Sequence, residues 1–359
     1  MVKISHNIFL RVCLVLSFFL HCRYPEGPEN IDIVELEHVW QFCKAFSLYS
    51  ERVPPRSNLL DYSTNYVQSN FLLDALYDTL FIYWKNEKIK IADYDRSYAA
   101  IHSRVVGSYN YTRSADTTVF FKKLTENTAY LKIKAFEFST DKDVTKFNAL
   151  VAGVQNIIID LKGNGGGYIA PCKNIIELFL PSDIAYLHVD SMITSGNLFP
   201  QKDTAAKWIS QKTGDAWEGK NITVLIDTLT ASASEILTVA LRDGLSSTYI
   251  IGTKSLGKAI GQILFQLKND AGIFLTVMKF EPMNGVDYHE KGIIPDTLFT
   301  GSFDEELKAA GKRYEANFEE LLDTAALKEV LTYNAPPTRS RIGNFGCYRV
   351  LDYKQLPQF

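Results

Sequence analysis

The sequence lacks an excess of positive charge and any apolar run long enough to span a bilayer. Its 359 residues contain 38 Lys and Arg against 41 Asp and Glu, giving a formal net charge of -3. This balance predicts no basic surface that could neutralise a phosphate backbone, so nucleic acid is excluded as a partner. With 46% hydrophobic and 22% charged residues, the composition is that of a globular protein rather than a disordered or collagen-like one.

Signature motifs of several other enzyme classes are also missing. The sequence has no HExxH motif and no cysteine or histidine spacing typical of zinc. It has neither a GxGxxG motif nor a Walker motif with its lysine followed by Ser or Thr. The sequence therefore predicts no metal site, no nucleotide site and no cofactor.

The N-terminus indicates export. Lys3, His6 and Arg11 precede a short apolar run, Val12 to Leu20, which predicts a signal peptide over residues 1–22. Cys22 follows the run closely, as in a lipoprotein signal, although the residues before it are not small. Lipidation of Cys22, with membrane attachment, and simple secretion therefore both stay open, and so does the choice between a periplasmic, a membrane-anchored and an extracellular location.

Few cysteines remain after this leader. Removing Cys13 with the signal and Cys22 as an anchor leaves Cys43, Cys172 and Cys347. One disulfide and one free thiol would fit an oxidising compartment, but the spacing does not select the pair.

Residues 23–118 are predicted to be a linker and an N-terminal helical module. Pro and Gly residues from Arg23 to Asn30 indicate the linker, and apolar residues at helical spacing occupy Ile31 to Ser50 and Asn70 to Trp84. The stretch from Lys85 to Thr118 shows no clear period and is expected to connect two modules.

Residues 119–303 are predicted to be an α/β catalytic domain, followed by a C-terminal helical extension and tail over 304–359. Short β-branched runs alternate with helical patterns from Thr128 onward. Ile157 to Leu161 is mostly apolar, which is typical of a strand buried on both faces. The other strands are expected at Tyr130–Phe136, Ile222–Ile226, Thr248–Gly252, Ile260–Leu267 and Ile273–Phe280, and the helices at Lys142–Val154, Pro171–Leu180 and Ala233–Arg242.

Three segments in this region carry residues suited to catalysis. The first, Asp160 to Gly167, leaves a predicted buried strand and contains three consecutive glycines. Glycine exposes backbone N–H groups that can hold an anion or an oxyanion, although a flexible turn would have the same composition.

The second segment, Thr230 to Glu235, joins a predicted strand to a predicted helix. Ser232 with Glu235 three residues later also satisfies a capping box, so helix capping alone would explain it. A serine on such a turn can equally expose its hydroxyl as a nucleophile, and the next N–H, that of Ala233, can bind an oxyanion.

The third segment, Gly257 to Gln262, contains Lys258 between small residues, with Gln262 four positions later. An exposed lysine is the commoner explanation of any single lysine. The order of glycine loop, serine turn and glycine-flanked lysine favours a catalytic role.

These segments, together with Gly285 to Asp296, resemble the carboxyl-terminal processing, or tail-specific, protease family of serine peptidases. Lys291-Gly-Ile-Ile-Pro-Asp296 is similar to the closing hairpin signature of that family. The resemblance covers roughly Tyr130 to Thr297. It implies a crotonase-like spiral ββα core, a polypeptide substrate and no metal, and it leaves the oligomeric state open.

The resemblance also implies the roles of individual residues. Ser232 would be the nucleophile, Lys258 its general base and Gln262 the side chain that orients the lysine. The oxyanion hole would use the backbone N–H of Ala233 and one glycine N–H, with Gly166 favoured and Gly165 as the neighbouring choice. Two further residues, Ser234 inside the helix and Lys254 without a flanking glycine, are expected to be uninvolved.

The base must be neutral to accept a proton from serine, so Lys258 is predicted to be buried among Leu256, Ile260 and Ile263, because burial lowers the pKa of a lysine. His289, on the predicted closing hairpin, is the histidine that could approach the site instead.

Two other functions stay open. The same architecture occurs in non-catalytic modules that carry an apolar ligand and in acyl-CoA enzymes of crotonase type. The PDZ module that many family members use to select substrate tails is not found in this sequence, which puts recognition of C-terminal tails in doubt.

Overall fold

The computed structural model describes residues 40, 43–45, 47, 51, 82–84, 118–191, 203–211, 216–266, 272–334 and 350–352. The predicted signal peptide, Cys22 and the linker lie outside the described residues. No helix within the described ranges is long and apolar enough to cross a membrane.

The described elements alternate between strands and helices through the central part of the chain. The strands are β1 (Ile82–Trp84), β2 (Val119–Lys123), β3 (Thr128–Ile133), β4 (Asn156–Asp160), β5 (Ala185–Ser191), β6 (Asp203–Ile209), β7 (Asn221–Ile226), β8 (Tyr249–Gly252), β9 (Ile260–Gln266), β10 (Gly272–Pro282), β11 (Thr297–Leu298) and β12 (Val350–Asp352). The helices are α1 (Thr140–Thr145), α2 (Asn148–Val151), α3 (Ile169–Phe179), α4 (Ala233–Gly244), α5 (Phe303–Lys312), α6 (Phe318–Leu321) and α7 (Thr324–Tyr333).

The described residues divide into two compact units. The smaller unit includes β1, which pairs antiparallel with the first residues of β10. The larger unit contains β2 to β8, β11 and helices α1 to α7, together with the start of β9 and the end of β10. In the larger unit, β5 pairs antiparallel with both β6 and the end of β10.

The larger unit is built on a six-stranded sheet in the order β11-β8-β7-β4-β3-β2. Strands β3, β4, β7, β8 and β11 pair in parallel, whereas β2 is antiparallel to β3. Asp160 at the end of β4 lies opposite Leu225, and Ile226 at the end of β7 lies opposite Gly252. The three segments with catalytic residue types therefore follow the carboxyl ends of neighbouring parallel strands. These ends lie on the same side of the sheet, where ligands bind in open α/β sheets.

Both faces of this sheet are buried, as expected for apolar parallel strands. In β4, Ile157 and Ile159 pack into the main core with α3 and α4. Ile158, between them, belongs to a second core cluster with Leu307 of α5, Phe318 of α6 and Val330 of α7. The prediction of a strand buried on both faces is confirmed, and the C-terminal helices supply the cover on one side.

Several predicted elements differ from the structure. The expected helix Lys142–Val154 is two short helices, α1 and α2, separated at Phe147. The Phe147 ring stacks on Phe121, and Asn148 accepts a hydrogen bond from Trp217, so long-range partners override the helical period at this point.

The predicted second N-terminal helix is wrong at its end, because Ile82–Trp84 is strand β1. These residues favour strands, and their backbone partners at 272–274 are distant in sequence. Residues 70–81 lie outside the described part of the chain.

The predicted closing hairpin also differs. Residues 283–296 contain turns and irregular chain rather than paired strands. Strands β5 and β6 were not predicted, and β3 ends at Ile133 instead of Phe136.

Two of the three cysteines expected in the mature chain are described, and both are free thiols. Cys43 and Cys172 are fully buried, and Cys347 lies outside the described residues. The structure therefore has no disulfide between Cys43 and Cys172, and the single disulfide expected from the sequence stays a prediction.

Candidate active site

Ser232 lies on a sharp turn between β7 and α4. Its backbone has φ 56° and ψ -120°, a conformation that non-glycine residues rarely adopt and that costs on the order of 1–3 kcal/mol. Ser232 is the N-cap residue of α4 and is only 2% exposed. A serine on a strained strand-to-helix turn is the geometry of a nucleophile elbow, in which the hydroxyl sits beside the helix N-terminus.

The glycine loop lies directly against this turn. A Cβ atom added to Gly166, which has φ +103°, would lie 2.8 Å from Ser232 Cβ and 2.9 Å from the Ala233 nitrogen. Only glycine permits this approach, because real Cβ contacts do not become so short. The loop and the serine that the sequence singled out separately are therefore in contact.

Asn164 holds the loop and the serine turn together. Its side chain is fully buried, and its amide donates to the Ile133 carbonyl at 2.9 Å. Its backbone carbonyl accepts from the Ala231 N–H at 3.0 Å and from the Ser234 hydroxyl at 3.0 Å. Ser234, expected to be uninvolved in the chemistry, lies inside α4 and serves this structural contact.

The glycine N–H that the sequence favoured for binding an oxyanion, that of Gly166, already has a hydrogen-bond partner. The Gly166 N–H donates to Asn164 Oδ1 at 2.9 Å, so it would have to leave this partner before it could bind a substrate oxygen. The choice between Gly166 and Gly165 as the oxyanion donor therefore stays a prediction. Within the described part of the chain, no hydrogen bond uses the N–H of Gly165 or of Ala233.

Glu235 connects the serine turn to the lysine loop. Its fully buried carboxylate accepts from the Ser232 N–H at 2.9 Å and from the Lys258 N–H at 2.7 Å, both at Oε2. The other oxygen, Oε1, accepts from the Gly257 N–H at 2.7 Å and from the Ser255 hydroxyl. One carboxylate therefore fixes the backbones of both predicted catalytic residues.

Burial raises the pKa of the Glu235 carboxyl above its ordinary value, and the four hydrogen bonds only partly offset this effect. A buried carboxylate is costly unless it is well paired, and these four donors supply the pairing.

Lys258 is 8% exposed, and Gln262, on β9, is 7% exposed. The Lys258 ammonium donates to Gln262 Oε1 at 3.3 Å. The predicted burial of the lysine and its contact with the glutamine are thus both present in the structure. The loop packs on the segment that follows β10, because a Cβ on Gly257 would lie 2.7 Å from the Gly292 nitrogen.

Among the predicted apolar neighbours of Lys258, Ile260 is buried, whereas Leu256 is 40% exposed; the side chain of Ile263 lies outside the described part. Leu256 is thus only partly buried, and its contact with Lys258 stays a prediction. Lys254 is exposed, as expected. His289 Nδ1 lies 3.4 Å from the Ala259 nitrogen, so it is near the lysine loop.

Three residues with evident roles at the site were not assigned them from the sequence: Asn164, Ser255 and the bridging Glu235. The capping box identified Glu235, but only as a partner of the serine turn. Its contacts with Gly257 and Lys258 join segments more than twenty residues apart, and no local pattern reveals them. In the described ranges, no group of three His, Cys, Asp or Glu side chains could hold a metal ion.

The fold and the site together define a class. A mixed α/β fold that presents a strained serine at a helix start, beside a glycine loop and a buried lysine, has the parts of a serine hydrolase.

Comparisons with known proteins show what this central region is similar to. Residues 127–299 match the model of peptidase family S41. The chain is 32% identical over 209 residues to a carboxyl-terminal-processing protease of Synechocystis sp., covering 56% of this chain and 45% of the relative. It is 30% identical over 175 residues to a protease of the same description from Picosynechococcus sp., covering 48% and 39%. The chain thus spans less than half the length of these relatives.

Among solved structures, a photosystem II D1 C-terminal processing protease aligns with a TM-score of 0.46 at 21% identity, over 60% of this chain and 55% of the other.

The chain carries a peptidase family S41 domain, and its resemblance to the carboxyl-terminal processing proteases is confirmed. The domain is therefore of the serine-type peptidase class.

Proposed function

We propose that the protein is a serine endopeptidase that cleaves polypeptides through a Ser232–Lys258 dyad and an acyl-enzyme intermediate. The observation that carries the proposal is the shared Glu235 carboxylate, which binds the backbone N–H of both residues. Both N–H groups bind the same oxygen of this carboxylate, which supports the pairing of the strained serine with the buried lysine, and the contact of Gly166 with Ser232 adds the glycine loop.

In the proposed reaction, the neutral Lys258 amine accepts the Ser232 proton while the serine oxygen attacks the scissile carbonyl carbon. The Ala233 N–H, at the positive end of α4, and the Gly165 N–H stabilise the negative charge that develops on the carbonyl oxygen. Lys258 then gives its proton to the leaving amine, and a serine ester remains. A water molecule, activated by the same amine, hydrolyses this ester and releases the acid.

Gln262 is proposed to orient the lysine. Its side-chain oxygen accepts from the ammonium without bringing a second charge to the site. A carboxylate in its place would stabilise the ammonium and raise the pKa of Lys258, which would oppose its role as a base.

The domain organisation follows the same proposal. We infer a catalytic domain over residues 119–303 with a crotonase-like core, preceded by a helical module and no PDZ domain and followed by a helical extension. The substrates are proposed to be proteins or peptides outside the cytoplasm, because the sequence predicts an N-terminal leader. Membrane attachment through Cys22 stays a prediction.

The test is labelling with a fluorophosphonate, which phosphonylates an activated serine. We expect the wild-type protein to be labelled at Ser232, Ser232→Ala to be unlabelled, and Lys258→Ala to react at least about 100-fold more slowly. Matched controls are Ser246→Ala and Lys254→Ala, which change an exposed serine and an exposed lysine and should react like wild type.

Equal labelling of all five proteins would contradict the dyad. An absence of labelling in the wild type would favour a non-catalytic module that carries an apolar ligand, whereas turnover of an acyl-CoA by Ser232→Ala would favour an acyl-CoA enzyme. If Lys258→Ala is labelled at the wild-type rate and His289→Ala is not labelled, the histidine would be the general base. Cleavage of unfolded protein substrates, read as new N-termini by mass spectrometry, distinguishes a peptidase from another serine hydrolase.

A further inference from the structure

The glycine loop is anchored at its start by Lys162. The Lys162 N–H donates to Asp160 Oδ1 at 2.8 Å, and its carbonyl accepts from the Lys132 ammonium at 2.7 Å. The next residue, Gly163, donates its N–H to Asp227 Oδ1 at 2.9 Å. The backbone that leads into the glycines is thus held on both sides by buried or partly buried charged groups.

The side chain of Lys162 is held by a different part of the chain. Its ammonium forms an ion pair with Glu306 Oε2 on helix α5, and it also lies 5.7 Å from the centre of the Phe303 ring. Both contacts come from α5, which begins after the last residue of the family match at 299. A helix beyond the matched domain therefore contacts the loop that the proposed reaction uses.

Glu306 is a costly residue at this position. Its side chain is fully buried, and Oε1 has no hydrogen-bond partner among the described residues. A buried carboxylate oxygen without a partner destabilises the fold, and an apolar residue such as leucine on this face of α5 would avoid that cost. The ion pair with Lys162, rather than packing in the core, accounts for a glutamate at position 306.

We propose that Glu306 is a positioning residue, by which helix α5 holds Lys162 and so keeps the glycine loop in contact with the Ser232 turn. The inference rests on the proposed function, because the loop is taken to bind the oxyanion. Loss of the Lys162–Glu306 ion pair would remove one of the contacts that hold the start of this glycine-rich segment, and a displacement of about 1 Å at a reacting group can reduce a rate about 100-fold.

The test compares Glu306→Gln with Glu320→Gln, a matched change of an exposed glutamate on α6. Fluorophosphonate kinetics separate the maximal rate of inactivation from the half-saturating concentration. We expect the maximal rate of Glu306→Gln to fall about tenfold, with the half-saturating concentration within about twofold of wild type. Glu320→Gln should match wild type in both.

Lys162→Met provides a second variant, since its side chain is partly exposed and its loss is easier to tolerate. It should reduce the maximal rate by a similar factor, and Lys162→Met/Glu306→Gln should lose no more than either single variant, because both substitutions break the same contact. Fully multiplicative losses would overturn the proposal.

Hydrogen exchange gives a readout that does not require activity. The amides of residues 163–167 should exchange at least about fivefold faster in Glu306→Gln than in Glu320→Gln, while those of β7 stay unchanged. Loop exchange and labelling equal to the control would overturn the inference even if the melting temperature fell. If the wild type is not labelled at all, the proposed function fails, and the exchange comparison alone decides the role of Glu306.

Discussion

Replacing Gly166 by alanine perturbs the contact between the glycine loop and the serine turn with a single methyl group. The new Cβ would lie 2.8 Å from Ser232 Cβ, 2.9 Å from the Ala231 carbonyl oxygen and 2.9 Å from the Ala233 nitrogen. These neighbours are backbone or the first side-chain carbon, so none can rotate away. The backbone at this position has φ +103°, which an L-residue adopts only under strain.

The size of the effect follows from these distances. Ordinary carbon contacts lie at about 3.5–4.0 Å, so the loop must withdraw from Ser232 by roughly 0.5–1 Å. A displacement of that size at an oxyanion donor lowers the rate about 10- to 100-fold. Backbone strain and overpacking together should reduce the free energy of unfolding by about 2–5 kcal/mol.

The matched control is Gly163→Ala in the same loop. Gly163 also has a positive φ, +73°, but a Cβ there meets nothing within 4 Å. It should lose about 1–2 kcal/mol of stability from strain and keep the wild-type rate. Urea unfolding measures the stabilities, and the maximal rate of fluorophosphonate labelling measures the site. Equal labelling rates for Gly166→Ala and Gly163→Ala would refute the argument that this contact sets the geometry.

Two further predictions concern buried titratable groups. Burial raises the pKa of the Glu235 carboxyl, so ionisation of this carboxyl opposes folding. The protonated carboxyl contributes its full stabilisation below the unfolded-state pKa, and this stabilisation is lost as the pH rises through the higher folded-state pKa. The free energy of unfolding of wild type relative to Glu235→Gln, from urea titrations, should therefore fall as the pH rises above about 4, the ordinary pKa range of a glutamate, and a rise would contradict the sign. Burial likewise raises the pKa of the fully buried Cys172 thiol, so iodoacetamide at pH 8 should modify it only in denaturant; rapid native-state modification, read by mass spectrometry, would show that the thiol is accessible.

Much of the fold could be predicted from residue patterns. The apolar run at Ile157–Leu161 and the β-branched run at Ile222–Ile226 are strands β4 and β7 within one residue at each end. The helix predicted over Ala233–Arg242 is α4, Ala233–Gly244. These elements carry strong local signals, because apolar period and caps act within a few residues.

Elements that depend on distant partners were predicted less well. Phe147 interrupts a helical pattern because its ring packs on Phe121, and Ile82–Trp84 pairs with residues 272–274 instead of continuing a helix. The spacing of apolar residues along the sequence contains no information about such distant partners. The packing energy of the tertiary contact therefore decides which secondary structure forms.

The chain by itself determined which chemical groups are available: a serine at a helix start, a glycine loop and a glycine-flanked lysine with Gln262 four residues later. The order of these motifs along parallel strands was enough to suggest one family and one site. Only the tertiary structure decided how the groups are held. The Asn164 side chain accepts a hydrogen bond from the Gly166 N–H, Glu235 binds both the serine turn and the lysine loop, and Glu306 contacts Lys162 from a helix beyond the family match. The physical reason is that hydrogen bonds and ion pairs between segments depend on distances in space, which are set by the packing of the sheet and its covering helices.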